Sequence, residues 1–392
     1  KVTDAYGREV NLTLFKEDLS RQDSVPGADV ILSIDLDLQY VAEQALGERA
    51  GAVVAVNVKS GEVLAMVSHP TFDPSDFIKG IDSMKWKTLI EDKSHPLTNR
   101  ATQSMYPPGS VFKIVTAAAG LKEGVVNENT YFYCPGSYRF GKKTFKCWKK
   151  GGHGSVNFHK AIVESCDVYF YNIAERLGID RLSNYIKRFG FGIPTGIDLN
   201  EKIGISPSRE WKLKTFKKPW YEGETIITGI GQGYINATPL QVAMATAAVA
   251  NGGTLLKPQI VREVISPDGK KLMEYLPKEN GYLGIDARVI NIIKDALIGV
   301  VNEANGTGKA ARLDEMIVAG KTGTAQVVSL ELDSNQENHK DHAWFTSYAP
   351  AENPEVAVTV FVEHGGKGGA VAAPVAKQIL EVYLKLKKEG SV

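Results

Sequence analysis

The sequence predicts an α+β fold, in which helices cover an antiparallel sheet. A β-hairpin is indicated near the start of the chain, because two apolar runs, residues 53–58 and 62–68, flank the turn Lys59-Ser60-Gly61. Further strands are indicated near the end of the chain, at residues 317–324, 343–348 and 356–363. The chain between these two groups is mostly helical by pattern, so we expect helices to pack on the sheet that the strands form.

The helices are predicted from apolar residues that recur at helical spacing. The first, residues 36–49, follows a short strand at residues 29–35. Residues 70–98 are rich in Pro, Asp and Ser, which is typical of a long loop, here with one short helix. Further helices are predicted at residues 111–123, 161–177, 180–189, 239–251, 287–302 and 371–387.

Composition favours a folded domain of ordinary charge. With 392 residues, of which 43% are hydrophobic and 9% aromatic, the chain can bury one large core or two moderate ones. Its 46 basic and 45 acidic residues leave a net charge of +1, so no nucleic-acid partner is expected. No run reaches the roughly 18 apolar residues that a membrane helix needs.

Three short motifs follow one another in the chain and carry the candidate chemistry. Ser110 and Lys113 form an S-x-x-K motif at a predicted helix start, where residues three apart share one face. This motif alone is weak, because roughly one or two matches are expected by chance in a chain of this length. The specificity comes from the order, since Ser165-Cys166-Asp167 and then Lys321-Thr322-Gly323-Thr324 follow it.

This set of motifs resembles that of the penicillin-binding proteins and serine β-lactamases. The likeness runs from about residue 26 to the end and is nearest to the transpeptidase domain of class B enzymes of the penicillin-binding protein 2 type, which serve cell elongation. The segments that carry it are residues 51–67, 107–113, 231–241 and 320–326. The resemblance implies a five-stranded antiparallel sheet covered by helices, with an all-helical subdomain.

The candidate nucleophile is Ser110, which needs a neighbouring base to take its proton. Lys113 is that base if its amine is neutral, through burial or through a positive charge that Lys321 would supply. The helix start favours negative charge, and the resemblance implies that the N–H groups of Ser110 and Thr324 form an oxyanion hole. The alternative is that Ser110 only caps a helix.

The second motif is expected to move protons. The resemblance implies that Ser165 relays a proton toward the leaving amine and that Asp167 bonds Lys113 or the substrate. An ionised Asp only accepts hydrogen bonds, whereas the Asn of many relatives also donates them. The alternative for Asp167 is an ordinary helix-start aspartate.

The third motif is expected to bind substrate. Thr322 and Thr324 point to the same side of a strand and, together with Lys321, would bind the terminal carboxylate of a peptide. Gly323 leaves room for the substrate to lie along the strand edge as an added strand.

A second constellation combines three cysteines with a histidine, namely Cys134, Cys147, His153 and Cys166. A disulfide would leave one cysteine over, whereas the whole set has the four donors of a structural zinc site. The resemblance adds that this type of protein can carry zinc near the active site, so support of the second motif rather than metal catalysis is expected. The alternatives are a disulfide between Cys134 and Cys147, or unlinked thiols, and His159 is the alternative histidine.

The resemblance also implies how the chain is divided and where it works. Residues 1–22 look like the remnant of a pedestal domain and a linker, and residues 23–392 form the transpeptidase domain. An inner-membrane anchor would precede Lys1 and place the domain in the periplasm. The implied partners are a membrane glycan polymerase and the elongation complex.

The leading functional hypothesis is acyl transfer without a cofactor. Ser110 would attack a peptidoglycan stem peptide, and an amine of a neighbouring stem would then form the cross-link; β-lactam antibiotics would acylate the same serine. The alternatives are a D,D-carboxypeptidase or β-lactamase, a β-lactam sensor that signals without turnover, and a zinc-stabilised binding module. The last would leave Lys113 and Lys321 unexplained.

Overall fold

The computed structural model describes residues 26–78, 80–327 and 340–390. Residues 1–22, the expected pedestal remnant and linker, lie outside this part of the chain. The strands are β1 (Asp29–Leu32), β2 (Gly51–Asn57), β3 (Val63–His69), β4 (Phe132–Cys134), β5 (Ser137–Phe140), β6 (Lys143–Lys146), β7 (Gly154–Val156), β8 (Thr254–Leu256), β9 (Val261–Ile265), β10 (Lys271–Glu274), β11 (Glu279–Tyr282), β12 (Ala319–Ala325), β13 (His342–Ala349) and β14 (Val356–Val362). The helices are α1 (Leu36–Leu46), α2 (Ser83–Glu91), α3 (Arg100–Gln103), α4 (Lys113–Lys122), α5 (Phe158–Val163), α6 (Asp167–Arg188), α7 (Arg209–Phe216), α8 (Glu222–Thr228), α9 (Pro239–Ala250), α10 (Ala287–Asn302) and α11 (Gly368–Glu389).

The central feature is a five-stranded antiparallel sheet with the order β12-β13-β14-β2-β3. Strand β14 lies in the middle, and all of its residues are buried. Because successive side chains of a strand point to opposite faces, Val53 and Val360 pack on one face while Val54 and Phe361 pack on the other. The sheet therefore has a hydrophobic core on each side.

Each core has its own helices. On one face, α1 and α11 pack together and bury Leu38, Ala42 and Ile379 against the sheet. On the other face, α9 lies on β14 and β2, and α4, α6 and α10 extend that core. Every residue of α9 is buried, as expected for a helix that is apolar all round. Thr238 and Gln241 form a capping box that fixes where α9 begins.

The two edges of the sheet differ. At the β3 edge, the side-chain amide of Gln39, from α1, donates to the Met66 carbonyl oxygen at 3.1 Å and accepts from the Met66 N–H at 2.8 Å. One side chain thus makes the two hydrogen bonds that a neighbouring strand would make. At the opposite edge lies β12, which carries the K-T-G-T motif.

The predicted fold class is confirmed, and the five predicted strands of this sheet are all present, with small differences in their ends. The helical side of the molecule also contains two small two-stranded sheets, β4 with β7 and β5 with β6. The sequence analysis did not predict these strands. They are three or four residues long, too short for a period-2 pattern to stand out.

The predicted continuous helix at residues 161–177 is wrong around residue 165. Helix α5 ends at Val163, Ser165 has a left-handed φ of +54°, and α6 begins at Asp167. Cys166, between them, is fully buried, so the apolar pattern continues through the turn and hides the break. The predicted interruption near residue 178 is confirmed, because Gly178 has φ +70° and kinks α6.

Candidate active site

Ser110 lies in a 3₁₀ turn, Gly109–Phe112, that leads directly into α4. The Gly109 N–H donates to the Gly231 carbonyl oxygen at 2.9 Å, which ties the turn to a neighbouring loop. Gly109 has φ +55°, and a Cβ added to it would lie 2.6 Å from the carbonyl oxygen of Thr324. Only glycine therefore lets this turn pack against β12, and that contact brings Ser110 to the edge of the sheet.

The Ser110 hydroxyl does not cap a helix. Pro108 is the N-cap of the 3₁₀ turn and Phe112 that of α4, and neither start has a side-chain capping bond. Ser110 is also partly exposed. The structure thus disfavours the capping alternative and leaves the hydroxyl available for other chemistry.

Lys113 is fully buried and holds the second motif in place. Its Nζ donates to Asp167 Oδ1 at 2.6 Å, to the Ser165 carbonyl oxygen at 2.9 Å and to Ser165 Oγ at 3.2 Å. A lysine ammonium has three donors, so these three oxygens use all of them. The expected contact between Lys113 and Asp167 is thereby observed.

The second lysine, Lys321, has a different environment. It is fully buried, and its Nζ donates to the Thr322 carbonyl oxygen at 3.2 Å. Burial and the nearby positive charge of Lys113 lower the pKa of Lys321 well below its usual value. Sequence reasoning placed the positive charge on Lys321 and the neutral amine at Lys113. The contacts favour the reverse, because the carboxylate of Asp167 lies beside Lys113.

Asp167 connects this network to a residue that sequence reasoning missed. Its second oxygen, Oδ2, accepts the backbone N–H of Trp148 at 2.8 Å, and the Trp148 ring Nε1 donates to the Ser165 carbonyl oxygen at 3.0 Å. Trp148 follows Cys147 directly, and that adjacency is the sequence signal that was available. Asp167 also occupies the first turn of α6, where a negative charge is favourable.

Strand β12 forms the other wall of the site, since it is an edge strand of the sheet. A Cβ on Gly323 would lie 2.9 Å from Trp344 Cβ and 3.0 Å from the Pro108 carbonyl oxygen, so only glycine fits between the sheet and the serine turn. The side-chain amide of Gln232 donates to the Thr324 carbonyl oxygen at 3.3 Å. The sequence analysis gave Gln232 no role, although it lies in one of the segments that carry the resemblance.

The candidate metal ligands also come together. Cys134, Cys147, His153 and Cys166 are all buried, and their ligand atoms lie within 4.8 Å of one another. The cysteines are free thiols. The alternative histidine, His159, instead pairs with Glu303 at 2.6 Å. The structure therefore favours the four-donor set over the disulfide and over His159.

Two separations between these donors match those around a tetrahedral zinc ion. The Sγ atoms of Cys134 and Cys147 lie 3.6 and 3.5 Å from His153 Nδ1. Zinc–sulfur and zinc–nitrogen bonds of about 2.3 and 2.0 Å in a tetrahedron separate sulfur from nitrogen by roughly 3.5 Å. The contact with Cys166 lowers the pKa of Cys147, and the same contact raises the pKa of Cys166. Such crowded, buried sulfurs are the donors that a divalent cation stabilises as thiolates.

The site is surrounded by an S-x-x-K turn, an S-x-D turn and a K-T-G strand at the edge of a five-stranded sheet. This arrangement defines the class of penicillin-binding proteins and serine β-lactamases. Comparison with known proteins narrows this class. Residues 51–381 match the family described as penicillin binding protein transpeptidase domain. The chain belongs to this family.

Named relatives align with most of this chain. It is 44% identical over 382 residues to the peptidoglycan D,D-transpeptidase MrdA of Haemophilus influenzae, covering 93% of this chain and 58% of the relative. The MrdA of Escherichia coli K12 is 41% identical, with 91% and 57% covered. The chain thus spans somewhat more than half the length of these relatives.

Solved structures agree in fold. The crystal structure of Pseudomonas aeruginosa PBP2 in complex with WCK 5153 matches with a TM-score of 0.83 at 42% identity, covering 92% of this chain and 79% of that one. PBP2 of Helicobacter pylori, in its complex with MreC, matches with a TM-score of 0.81 at 36% identity, covering 91% and 64%.

Proposed function

We propose that this domain is a peptidoglycan D,D-transpeptidase that cross-links stem peptides through a serine acyl-enzyme. The observation that carries the proposal is the meeting of the Ser110 turn, the Lys113 network and the edge strand β12 at one site. The MrdA relatives, which are named for this activity, support it. Acyl transfer of this kind needs no cofactor.

In the first step, Ser110 Oγ attacks the carbonyl carbon of the penultimate D-alanine. The peptide C–N bond breaks, D-alanine leaves, and the acyl group remains as an ester on Ser110. Lys113 first gives one of its protons to the amine of Lys321. It then takes the serine proton and passes it through Ser165, which it contacts at 3.2 Å, to the leaving amine. Lys321, whose pKa is lowered, is the second amine of the site that can accept a proton.

In the second step, an amine of a neighbouring stem attacks the ester carbon. A new C–N bond forms, the C–O bond to Ser110 breaks, and the serine regains its proton. In both steps the N–H groups of Ser110 and Thr324 stabilise the oxyanion, at about 3 kcal/mol for each donor. The serine turn packs against Thr324, which is necessary if both N–H groups are to donate to the same oxyanion.

The substrate lies along β12. Its terminal carboxylate binds Thr322, Thr324 and Lys321, and the small Gly323 lets the peptide backbone approach the strand edge. The Thr324 carbonyl oxygen is occupied by the amide of Gln232, so a substrate N–H would share or displace that hydrogen bond.

The cysteines and the histidine are proposed to hold a structural zinc ion, with Cys134, Cys147, His153 and Cys166 as ligands. Zinc would stabilise the buried thiolates and fix the fold around them, with no part in the acyl-transfer steps. Its influence on the site would pass through the backbone, because the residue after Cys147 donates to Asp167.

The full-length protein is proposed to work at the inner membrane with its catalytic domain in the periplasm. Residues 1–22 would belong to a pedestal domain and linker, and residues 23–392 to the transpeptidase domain. The described part of the chain contains no helix with the length and apolar composition to cross a bilayer. A glycan polymerase and the elongation complex are the proposed partners, since related structures are described as a PBP2–MreC complex and as a peptidoglycan synthase complex.

The test is acylation by a fluorescent penicillin, followed by intact mass, for the wild type and Ser110→Ala. We expect a stable one-to-one adduct that the variant lacks. Rapid loss of the adduct with hydrolysed drug would indicate a β-lactamase, and no adduct would refute the proposal. Release of D-alanine from a stem peptide together with a cross-linked product, rather than D-alanine alone, separates a transpeptidase from a carboxypeptidase and from a sensor.

A further inference from the structure

Thr307 connects the two walls of the site, although no motif contains it. Its hydroxyl lies 2.8 Å from the hydroxyl of Thr322 on β12. On the other side, its N–H donates to the Val163 carbonyl oxygen at 3.3 Å, at the end of α5 and two residues before Ser165. Thr307 therefore touches both the third motif and the helix that leads into the second.

The segment that carries Thr307 is packed on several sides. A Cβ on Gly306 would lie 2.3 Å from the Val300 carbonyl oxygen, and one on Gly308 would lie 3.0 Å from the Phe345 ring. At the start of α11, a Cβ on Gly369 would lie 2.3 Å from the Thr307 carbonyl oxygen. The backbone of Thr307 is thus held in place, and its hydroxyl has a defined position beside Thr322.

A bound carboxylate would decide which hydroxyl donates, because without one either hydroxyl can be the donor. Thr307 has one hydroxyl proton and two acceptors within reach, Thr322 Oγ1 at 2.8 Å and the Val163 carbonyl oxygen at 3.4 Å. Hydrogen bonds between oxygens are usually 2.7–2.8 Å long, so the contact with Thr322 is the stronger of the two, whichever hydroxyl donates. The Val163 oxygen already accepts the Thr307 N–H. When a carboxylate accepts the Thr322 proton, only the Thr307 proton is left for the bond between the two hydroxyls, so Thr307 then donates to Thr322.

We propose that Thr307 is a positioning residue for the substrate carboxylate: by donating to Thr322, it turns the Thr322 hydroxyl into a donor toward the carboxylate. The inference rests on the proposed function, in which Thr322 binds that carboxylate. A chain of two hydroxyls that ends on an anion is mutually reinforcing, because each bond polarises the next. Without the hydroxyl of Thr307, Thr322 loses the partner that orients it.

The experiment measures the second-order rate constant for acylation by a fluorescent penicillin with a free carboxylate. Thr307→Val should lower it about five- to tenfold, because one orienting hydrogen bond to a charge-binding group is lost. Thr307→Ser keeps the hydroxyl and should retain most of the rate. Thr359→Val is the matched control, because it breaks another hydrogen bond between threonines. The Thr359 hydroxyl, on the central strand β14, lies 2.7 Å from that of Thr346 on β13, and its loss should leave acylation unchanged.

Repeating the measurement in a Thr322→Val variant separates two roles of Thr307, namely orienting the Thr322 hydroxyl and supporting α5. If Thr307 acts through Thr322, Thr307→Val should cause no further loss in this background. An equal loss in both backgrounds would show that Thr307 only braces α5 through Val163 and would overturn the inference, as would an unchanged rate in Thr307→Val alone. Failure of the proposed function looks different, because the wild type itself would then take no penicillin and both proposals would be withdrawn.

Discussion

At the scale of single residues, the contacts of Asp167 are the most consequential. One carboxylate oxygen accepts from Lys113 and the other from the Trp148 N–H. The side chain of Asp167 is only 10% exposed and that of Lys113 is not exposed at all, so this ion pair is shielded from water. Removing one partner of such a pair leaves a buried charge without compensation, which is far costlier than losing a surface ion pair.

Asp167→Asn should therefore destabilise the protein by about 3 kcal/mol. The amide has one acceptor oxygen in place of two, so either Lys113 or the Trp148 N–H must lose its partner. Urea unfolding measures the change. Asp180→Asn is the control, because Asp180 pairs with Arg209 at the surface with 71% of its side chain exposed; an equal loss in both variants would contradict this account.

His342 provides a pH prediction. Burial, together with the neighbouring His364, lowers the pKa of His342 to about 4, although Glu363 opposes the shift. Its Nδ1 accepts the His364 N–H at 3.0 Å, so the neutral ring is the form that the fold uses. Between pH 6.5 and 4 the unfolded chain binds the proton first, and stability therefore falls as the pH falls through this window.

The expected contribution of His342 is about 2 kcal/mol of stability lost between pH 7 and 4.5. His342→Gln keeps an acceptor for the His364 N–H and removes the titration. Unfolding free energies at both pH values should show a smaller difference between pH 7 and 4.5 in this variant. An identical pH dependence in the two proteins would mean that His342 does not cause it.

At the scale of elements, the serine turn depends on Gly109, and the chain offers a matched comparison. Gly109 and Gly141 both have φ +55°, but a Cβ on Gly141 would meet nothing within 4 Å, whereas one on Gly109 would meet the Thr324 carbonyl oxygen at 2.6 Å. The cost of the left-handed backbone is thus common to both positions, about 1–2 kcal/mol for a residue with a Cβ. The steric contact with β12 is specific to Gly109.

Gly109→Ala should accordingly lose penicillin acylation by at least about tenfold, since the turn must move away from β12 and the serine with it. Gly141→Ala should acylate at the wild-type rate and show only a modest fall in melting temperature. Acylation rates and melting temperatures of both variants provide the check. Normal acylation by Gly109→Ala would show that the close packing of the turn is not needed.

The helices, strands and turns differ in how well the sequence predicted them. The hairpin of β2 and β3 and the buried α9 were predicted because their patterns are local and several residues long. The turn at Ser165 was missed because Cys166, buried for reasons set by distant residues, continues the helical pattern. The three motifs were found as candidates from their order alone. Trp148 and Thr307 were not found, because their roles depend on contacts with residues 19 and 15 positions away in the sequence.

At the scale of the whole molecule, the cysteine cluster and the active site form one connected structure. From Cys147 the chain passes to Trp148, whose N–H bonds Asp167, whose other oxygen bonds Lys113. If zinc holds the cluster, the structural effect of removing it should be transmitted to the active site through these hydrogen bonds.

We therefore expect about one zinc per chain by elemental analysis, and a lower melting temperature with slower acylation after chelation. Cys134→Ser removes a ligand and leaves the Ser165-Cys166-Asp167 motif intact, so it should reproduce both effects. Added zinc should restore the chelated wild type. Unchanged acylation in protein verified to be metal-free would show that the cluster does not support the site.

A β-sheet grows by adding strands at its edges, and the Gln39 side chain ends that growth on the β3 side. Its amide occupies both the N–H and the carbonyl oxygen of Met66, so another strand cannot pair with that residue. On the β12 side, the amide of Gln232 donates one hydrogen bond to the Thr324 carbonyl oxygen, and in the proposed function a peptide adds at this edge. The two edges of the sheet are therefore unequal: under the proposed function a substrate strand joins at the β12 edge beside Ser110, whereas at the β3 edge the two pairing groups of Met66 are already occupied.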